Sequence, residues 1–237
     1  MNNVYIIGAG GVGSWLTPSL CLLIGPENIT VMDGDTLEEK NLNRQLFTEA
    51  DIGFNKAITL ADRYHCFGSS YWFSSSTLMD FSQNTVLMVC ADNNPARLAA
   101  LRVADIIGCQ VIIAANETHS AEAYYYRRAW EGGPLDPRVY YPTIVTDHTN
   151  NPLAANSGCT GEAQKANPQL VSANFMAAAL AQQLFVLWIM EKPKLDSEVV
   201  SKLPFHLRSN LSRLAGSSHG EDDGVSDRRV GQATRVR

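Results

Sequence analysis

The sequence predicts an α/β fold: a doubly wound, mainly parallel sheet with antiparallel C-terminal strands and a long C-terminal helix. Three observations predict it. Short apolar runs alternate with helical stretches through the first half of the chain. The first run ends in clustered glycines that open a helix, and a second run follows, so strand, turn, helix and strand close within about 30 residues. Beyond residue 116 the alternation stops and aromatic-rich stretches replace it.

Taken in order, residues 4–7 and 29–32 read as buried strands, with a helix over 11–24 between them that offers Trp15, Leu16, Leu20, Leu22 and Leu23 for packing. Residues 56–64 read as a helix, 71–73 as a strand and 85–90 as a clear β run. Asn94-Pro95 supplies a capping side chain and then a proline for the first turn of a helix over 96–107. Residues 111–115 form another buried strand, and 121–130 and 139–141 are expected as antiparallel strands. A polar loop rich in Asn, Thr and Gly covers 142–167, a length that is often functional. A long apolar helix spans 168–191. These boundaries divide the chain into a main domain over 1–192, a helical extension over 193–216 and a disordered tail over 217–237.

Composition narrows the function classes. With 237 residues, 45% hydrophobic and 18% charged, the chain is ordinary for a globular domain that buries a core. A net charge of -5 makes nucleic acid an unfavourable partner. The longest apolar candidate, 175–190, carries Gln182 and Gln183 and is shorter than the roughly 18 residues a membrane helix needs, so no membrane is expected. Met-Asn-Asn runs directly into the first strand without a basic segment before an apolar core, which argues against a secretory signal. Cys21, Cys66, Cys90, Cys109 and Cys159 are odd in number and scattered, which points to a reducing, cytoplasmic compartment. No Cys-x-x-Cys pair occurs, so no zinc is expected.

The chemistry begins at Gly8-Ala9-Gly10-Gly11-Val12-Gly13, between a strand and a helix. Without side chains, backbone amides approach a phosphate closely, and the helix N-terminus adds partial positive charge. Asp33 follows 20 residues after Gly13, at the end of the second strand, where a carboxylate can accept from both ribose hydroxyls. To this point a nicotinamide enzyme and an ATP enzyme look alike.

The next motifs separate them. Asp33-Gly34-Asp35 leads to Asn41-Leu42-Asn43-Arg44-Gln45 and then Gly53-Phe54-Asn55-Lys56, and Ala91-Asp92-Asn93 ends a later strand. Ligands of doubly wound sheets collect at the carboxyl ends of strands, so Arg44, Lys56 and Asp92 can converge on the glycine loop. A triphosphate needs such cations: arginine grips oxygens through a planar fork and lysine acts as a point charge. A carboxylate can hold magnesium.

Together these motifs resemble, in order and roughly in spacing, the adenylation motifs of the ThiF/MoeB/HesA family of the ubiquitin-activating-enzyme-like superfamily, over about residues 4–190. The resemblance implies a Rossmann-like domain that uses ATP and magnesium to adenylate the C-terminal glycine carboxylate of a ubiquitin-like or sulfur-carrier protein. It implies Gly8, Gly10, Gly11, Gly13, Asp33, Asp35, Asn41, Gln45 and Asn93 as nucleotide-binding residues, with Asp33 on the ribose. Asn41, Arg44 and Lys56 would surround the phosphates and Asp92 would serve the metal. Asn156-Ser157-Gly158-Cys159-Thr160-Gly161 resembles the segment where relatives carry a cysteine that receives the activated carrier, and Lys165 would assist it. The other four cysteines read as packing residues. A homodimer and a downstream conjugating enzyme or sulfurtransferase are the further partners implied.

The chain departs from the family pattern in starting at its first strand, without the helical extension whose arginine crosses a dimer in many relatives, and in lacking zinc-binding cysteine pairs. Tyr124-Tyr125-Tyr126-Arg127-Arg128 reads as a strand and its surface, or as a shelf for an extended carrier tail. None of His65, His119, His148, His206 and His219 forms a metal spacing. Two other chemistries remain open: adenylation of a peptide terminus, a non-protein carboxylate or a tRNA modification, and an NAD-dependent oxidoreductase that uses only the glycine loop and Asp33.

Overall fold

The computed structural model describes residues 3–74, 76, 81–117, 119–147 and 170–210. Seven strands form one sheet in the order β3-β2-β1-β4-β5-β6-β7. Strands β1 (Val4–Ile7), β2 (Ile29–Met32), β3 (Phe67–Ser69), β4 (Val86–Val89) and β5 (Gln110–Asn116) run parallel. Strands β6 (Ser120–Arg127) and β7 (His206–Asn210) close the other edge in antiparallel pairing. This is the predicted Rossmann-like α/β class.

The parallel strands read as continuous apolar runs because both of their faces are covered. Val4, Ile6, Val31, Met88 and Ile112 point to a layer holding α1 (Gly13–Ile24), α2 (Lys56–Tyr64) and α6 (Val171–Phe185). Tyr5, Ile7, Leu87, Val89 and Val111 point to the opposite layer, where α3 (Asn94–Ile107) packs. Each fully buried Leu, Ile or Phe in these layers contributes about 1.5–3 kcal/mol.

Several boundaries move. The third strand is Phe67–Ser69 and not 71–73. A Cβ on Gly68 would lie 2.8 Å from the Ala61 methyl, so a glycine there lets the strand lie directly against α2. The expected strand over 139–141 is instead the helical turn α4 (Pro137–Tyr140), because Asp136 caps it by accepting from Arg138 N at 2.9 Å and Pro137 suits a first turn. A second helical turn, α5 (Thr143–Thr146), follows where a loop is expected. The run expected to continue as a strand to residue 130 leaves the sheet after Arg127 in a 3-10 turn, Arg128–Trp130. Asn93, not Asn94, caps α3. Residues 193–216, expected as helical, hold the short helix α7 (Ser197–Ser201) and then strand β7, which completes the main sheet.

By length and composition one helical run among the described residues, Val171–Lys194, is apolar enough to cross a membrane, contrary to the expectation that no run is long enough; the two glutamines lower its hydropathy too little. Half of its most apolar window is buried, with Ala177, Ala181, Leu184 and Phe185 in the sheet's core layer.

Candidate functional site

The glycine loop leaves β1 with Gly8 at φ 95°, a left-handed conformation, and a Cβ there would lie 2.8 Å from Ala91 N. That close approach joins the ends of β1 and β4, where the strand order reverses and crevices of this class open. Gly13 lies beneath the loop and does not line the crevice. A Cβ on it would collide with the Gly8 carbonyl oxygen at 1.9 Å, so this glycine serves close packing of α1 on β1. Among the described residues, no protein acceptor faces the amides of Gly10, Gly11 and Val12.

Asp33 sits just past β2, 7% exposed. Its Oδ2 accepts from Ala9 N at 2.7 Å and its Oδ1 from Asp35 N at 2.8 Å. Burial pushes its carboxyl above the usual range, against the opposing pull of these two amides and of Lys56. Asn55 caps α2 by accepting from Ile58 N at 3.0 Å, while its Nδ2 donates to the carbonyls of Asp33 and Asp35. Asn55 thereby brings the start of α2 to the end of β2, and Lys56, 5% exposed, forms an ion pair with Asp35.

The segment carrying Arg44 is held from three helices. Trp15 Nε1 on α1 donates to the Arg44 carbonyl at 3.4 Å, Arg63 on α2 donates to the Leu46 carbonyl at 2.8 Å, and Asn174 Nδ2 on α6 donates to the Arg44 carbonyl at 3.3 Å. Asn41, 4% exposed, accepts from Glu38 N and closes the preceding turn. Gln45 is buried beside Gly10, and its Oε1 has no hydrogen-bond partner. Such an orphan acceptor suits a site that is completed by a ligand.

All these parts surround one crevice of about 880 Å³, within the range of small-molecule sites. Gly8, Gly10, Gly11, Asp33, Asp35, Asn41, Arg44, Gln45, Lys56, Asp92 and Asn93 line it. Asn93 also caps α3, accepting from Ala96 N at 2.9 Å. Asp92 is exposed, and with Asp35 it supplies hard oxygen donors suited to a divalent cation. Cys159 and Lys165 lie outside the described residues, as does His148. Burial pushes the Cys90 and Cys109 thiols up to about 12, consistent with packing roles.

Sequence reasoning missed Trp72, Phe73, Arg97 and Asn116, which also line the crevice. Asn116 ends β5, a position the strand-end rule could have flagged. It also missed Asn174, fully buried on α6, whose Oδ1 accepts from Asn116 Nδ2 at 2.9 Å and whose amide abuts Gly11. The available signal was a polar residue in the first turn of an otherwise apolar helix.

The sheet and the crevice at its switch point define a Rossmann-like α/β protein. The chain matches the model of the ThiF family over residues 2–115. It is 54% identical over 55 residues to the Nedd8-activating enzyme E1 catalytic subunit of Drosophila melanogaster, covering 23% of this chain and 12% of that protein. It is 46% identical over 55 residues to SUMO-activating enzyme subunit 2 of Dictyostelium discoideum, covering 23% and 8%. The match thus spans only a small part of these curated relatives. Among solved structures, PaaA superposes with a TM-score of 0.58 at 19% identity, over 79% of this chain and 64% of that one. E. coli MccB, solved with ATP, gives 0.54 at 19% identity, over 78% and 55%. At that identity the likeness is one of fold.

Proposed function

We propose that this protein is an ATP-dependent adenylating enzyme, and that the carboxylate it activates is the C-terminal glycine of a ubiquitin-like or sulfur-carrier protein. One observation carries the reading: the glycine loop, a buried acid at the end of β2, two cations and an exposed carboxylate border a single crevice. The relatives named for activating Nedd8 and SUMO, and a fold neighbour solved with ATP, support it. An oxidoreductase would use the loop and Asp33 but has no joint use for Arg44, Lys56 and Asp92.

In this reading the loop amides and the N-terminus of α1 cradle the phosphates, and Asp33 accepts from the ribose hydroxyls. Arg44 and Lys56 stabilise charge on the triphosphate. A carboxylate oxygen attacks the α-phosphorus, pyrophosphate leaves, and an acyl-adenylate forms. Magnesium fits the donors present, since Asp35 and Asp92 both line the crevice and an ion of this kind takes one or two carboxylates beside phosphate and water oxygens. Asp92, with Asp35, would hold it, and it would neutralise phosphate charge. In a second step the Cys159 thiolate would attack the acyl carbon and release AMP.

Exchange of labelled pyrophosphate into ATP tests the proposal, with a small carrier protein ending in glycine as one substrate and free carboxylic acids as another. We expect exchange with the carrier, and a loss of about 10²–10³-fold in Arg44→Ala and Asp92→Ala. Exchange only with the free acids would move the substrate to a non-protein carboxylate. Absence of exchange with both, or full activity of both variants, would overturn the reading. Cys159→Ala is expected to keep exchange and lose any thiol-linked carrier.

A further inference from the structure

The crevice is chemically mixed. Its lining combines the glycine amides, Arg44 and Lys56 with an apolar set, Ile7, Met32, Trp72 and Phe73. A nucleoside triphosphate has the same two characters, a charged triphosphate and a flat base joined through the sugar. We propose that Trp72, seated on Gly34, is the stacking platform for the nucleotide base. The inference rests on the ATP reading above and goes beyond it by naming what holds the base.

The geometry at residue 34 carries the argument. A Cβ built on Gly34 would lie 2.5, 2.6 and 2.6 Å from Trp72 Cε2, Cδ2 and Nε1. Near-equal distances to three contiguous ring atoms, one of them a fusion carbon bonded to the other two, mean a face-on approach; an edge-on approach would bring one atom far closer. The residue-34 backbone therefore covers one face of the indole, and any side chain at 34 would displace it. Trp72 keeps 38% of its surface exposed and lines the crevice. Behind it the wall is fixed by packing: Met32 and Phe73 are buried, Phe73 lies 6.3 Å from the Phe81 ring, and Phe81 meets Tyr5 edge-on at 4.8 Å. Gly34 directly follows Asp33, so the indole is seated one residue from the carboxylate assigned to the ribose. Apolar walls and one ring face suit a base and serve no phosphate.

The test is calorimetric titration of the full chain with ATP, and with inorganic tripolyphosphate as the baseless probe. Stacking on an aromatic side chain predicts an ATP affinity about 5- to 100-fold weaker in Trp72→Ala, with tripolyphosphate affinity unchanged. Trp72→Phe, which keeps a ring, is expected to stay within about threefold of the wild type for ATP, and Gly34→Ala to weaken ATP by unseating the indole. ATP should also quench the wild-type tryptophan emission more than that of Trp72→Phe. Equal ATP affinity in wild type and Trp72→Ala, equal weakening of ATP and tripolyphosphate, or an unaltered quench in Trp72→Phe would each overturn the platform while leaving the ATP reading standing. A wild-type protein that binds no ATP would overturn that reading itself, and the platform with it.

Discussion

Asp33 shows how a single side chain can be both structural and poised for a ligand. Its two oxygens already anchor Ala9 and Asp35 through their amides, yet each oxygen keeps a second lone pair for a hydroxyl. Burial raises its pKa, and a protonated Asp33 accepts less well, so ATP affinity should fall as pH drops through that raised value, earlier than for an ordinary carboxylate. Calorimetry across pH on wild type and Asp33→Asn checks this: the Asn variant should lose the step, and a wild type with a flat profile down to the usual Asp range would contradict the assignment. The effect on folding has the opposite sign from that of Asp51, Asp136 and Glu122. Burial pushes those three up as well, but hydrogen bonds from Thr48 and Arg63, from Arg138 and Gly132, and from His206 and Tyr141 outweigh it and hold them low. Their stabilisation is present above the unfolded pKa and is lost as pH falls through the folded value, whereas Asp33, raised, resists acid unfolding. The position of Asp33 was legible from its distance to Gly13. Its partners were not, since Ala9 reaches it only when β1 and β2 lie side by side.

At the scale of elements, α6 couples the crevice to the core. Ala177, Ala181 and Leu184 anchor it, and Asn174 near its start contacts the glycine loop, the Arg44 segment and Asn116. Removing that carboxamide strands the Asn116 amide and leaves the Arg44 carbonyl with only the long bond from Trp15. Asn174→Ala should therefore cost about 1–3 kcal/mol in chemical denaturation. It should also weaken pyrophosphate exchange by loosening Arg44, and unchanged exchange would show that the clamp is only structural. The helix itself was plain from its apolar run, but a helix this apolar gives no sign of which face meets a site. Elements of a few residues were the least legible. Residues 71–73 and 139–141 are aromatic and β-branched enough to suggest strands, but capping by Asp136 and the fit of Gly68 on α2 decided otherwise.

For the whole molecule, the last described strand closes the sheet. Trp188 stacks on Tyr125 with ring centroids 4.3 Å apart and donates to the Pro204 carbonyl at 2.8 Å, while Tyr125 N donates to the Phe205 carbonyl at 2.7 Å. A chain ending at Lys194 would lose β7 and leave β6 an open edge. We expect its melting point to fall by roughly 5–10 °C, for a loss near 3 kcal/mol. ATP affinity well below the melt should persist, because the crevice sits at β1 and β4. Loss of ATP binding at low temperature would show that the far edge supports the site.

The α/β class, the βαβ start and Asp33, Asp35, Arg44, Lys56 and Asp92 of the crevice follow from local pattern: apolar period, glycine spacing and strand-end acids are short-range features written along the chain. The aromatic wall at Trp72, the Asn174 clamp and the membership of residues 206–210 in the main sheet do not. Each depends on groups far apart in sequence meeting in space, and the interaction that fixes them, a ring over a glycine, a buried carboxamide or an antiparallel ladder, exists only once the sheet has formed.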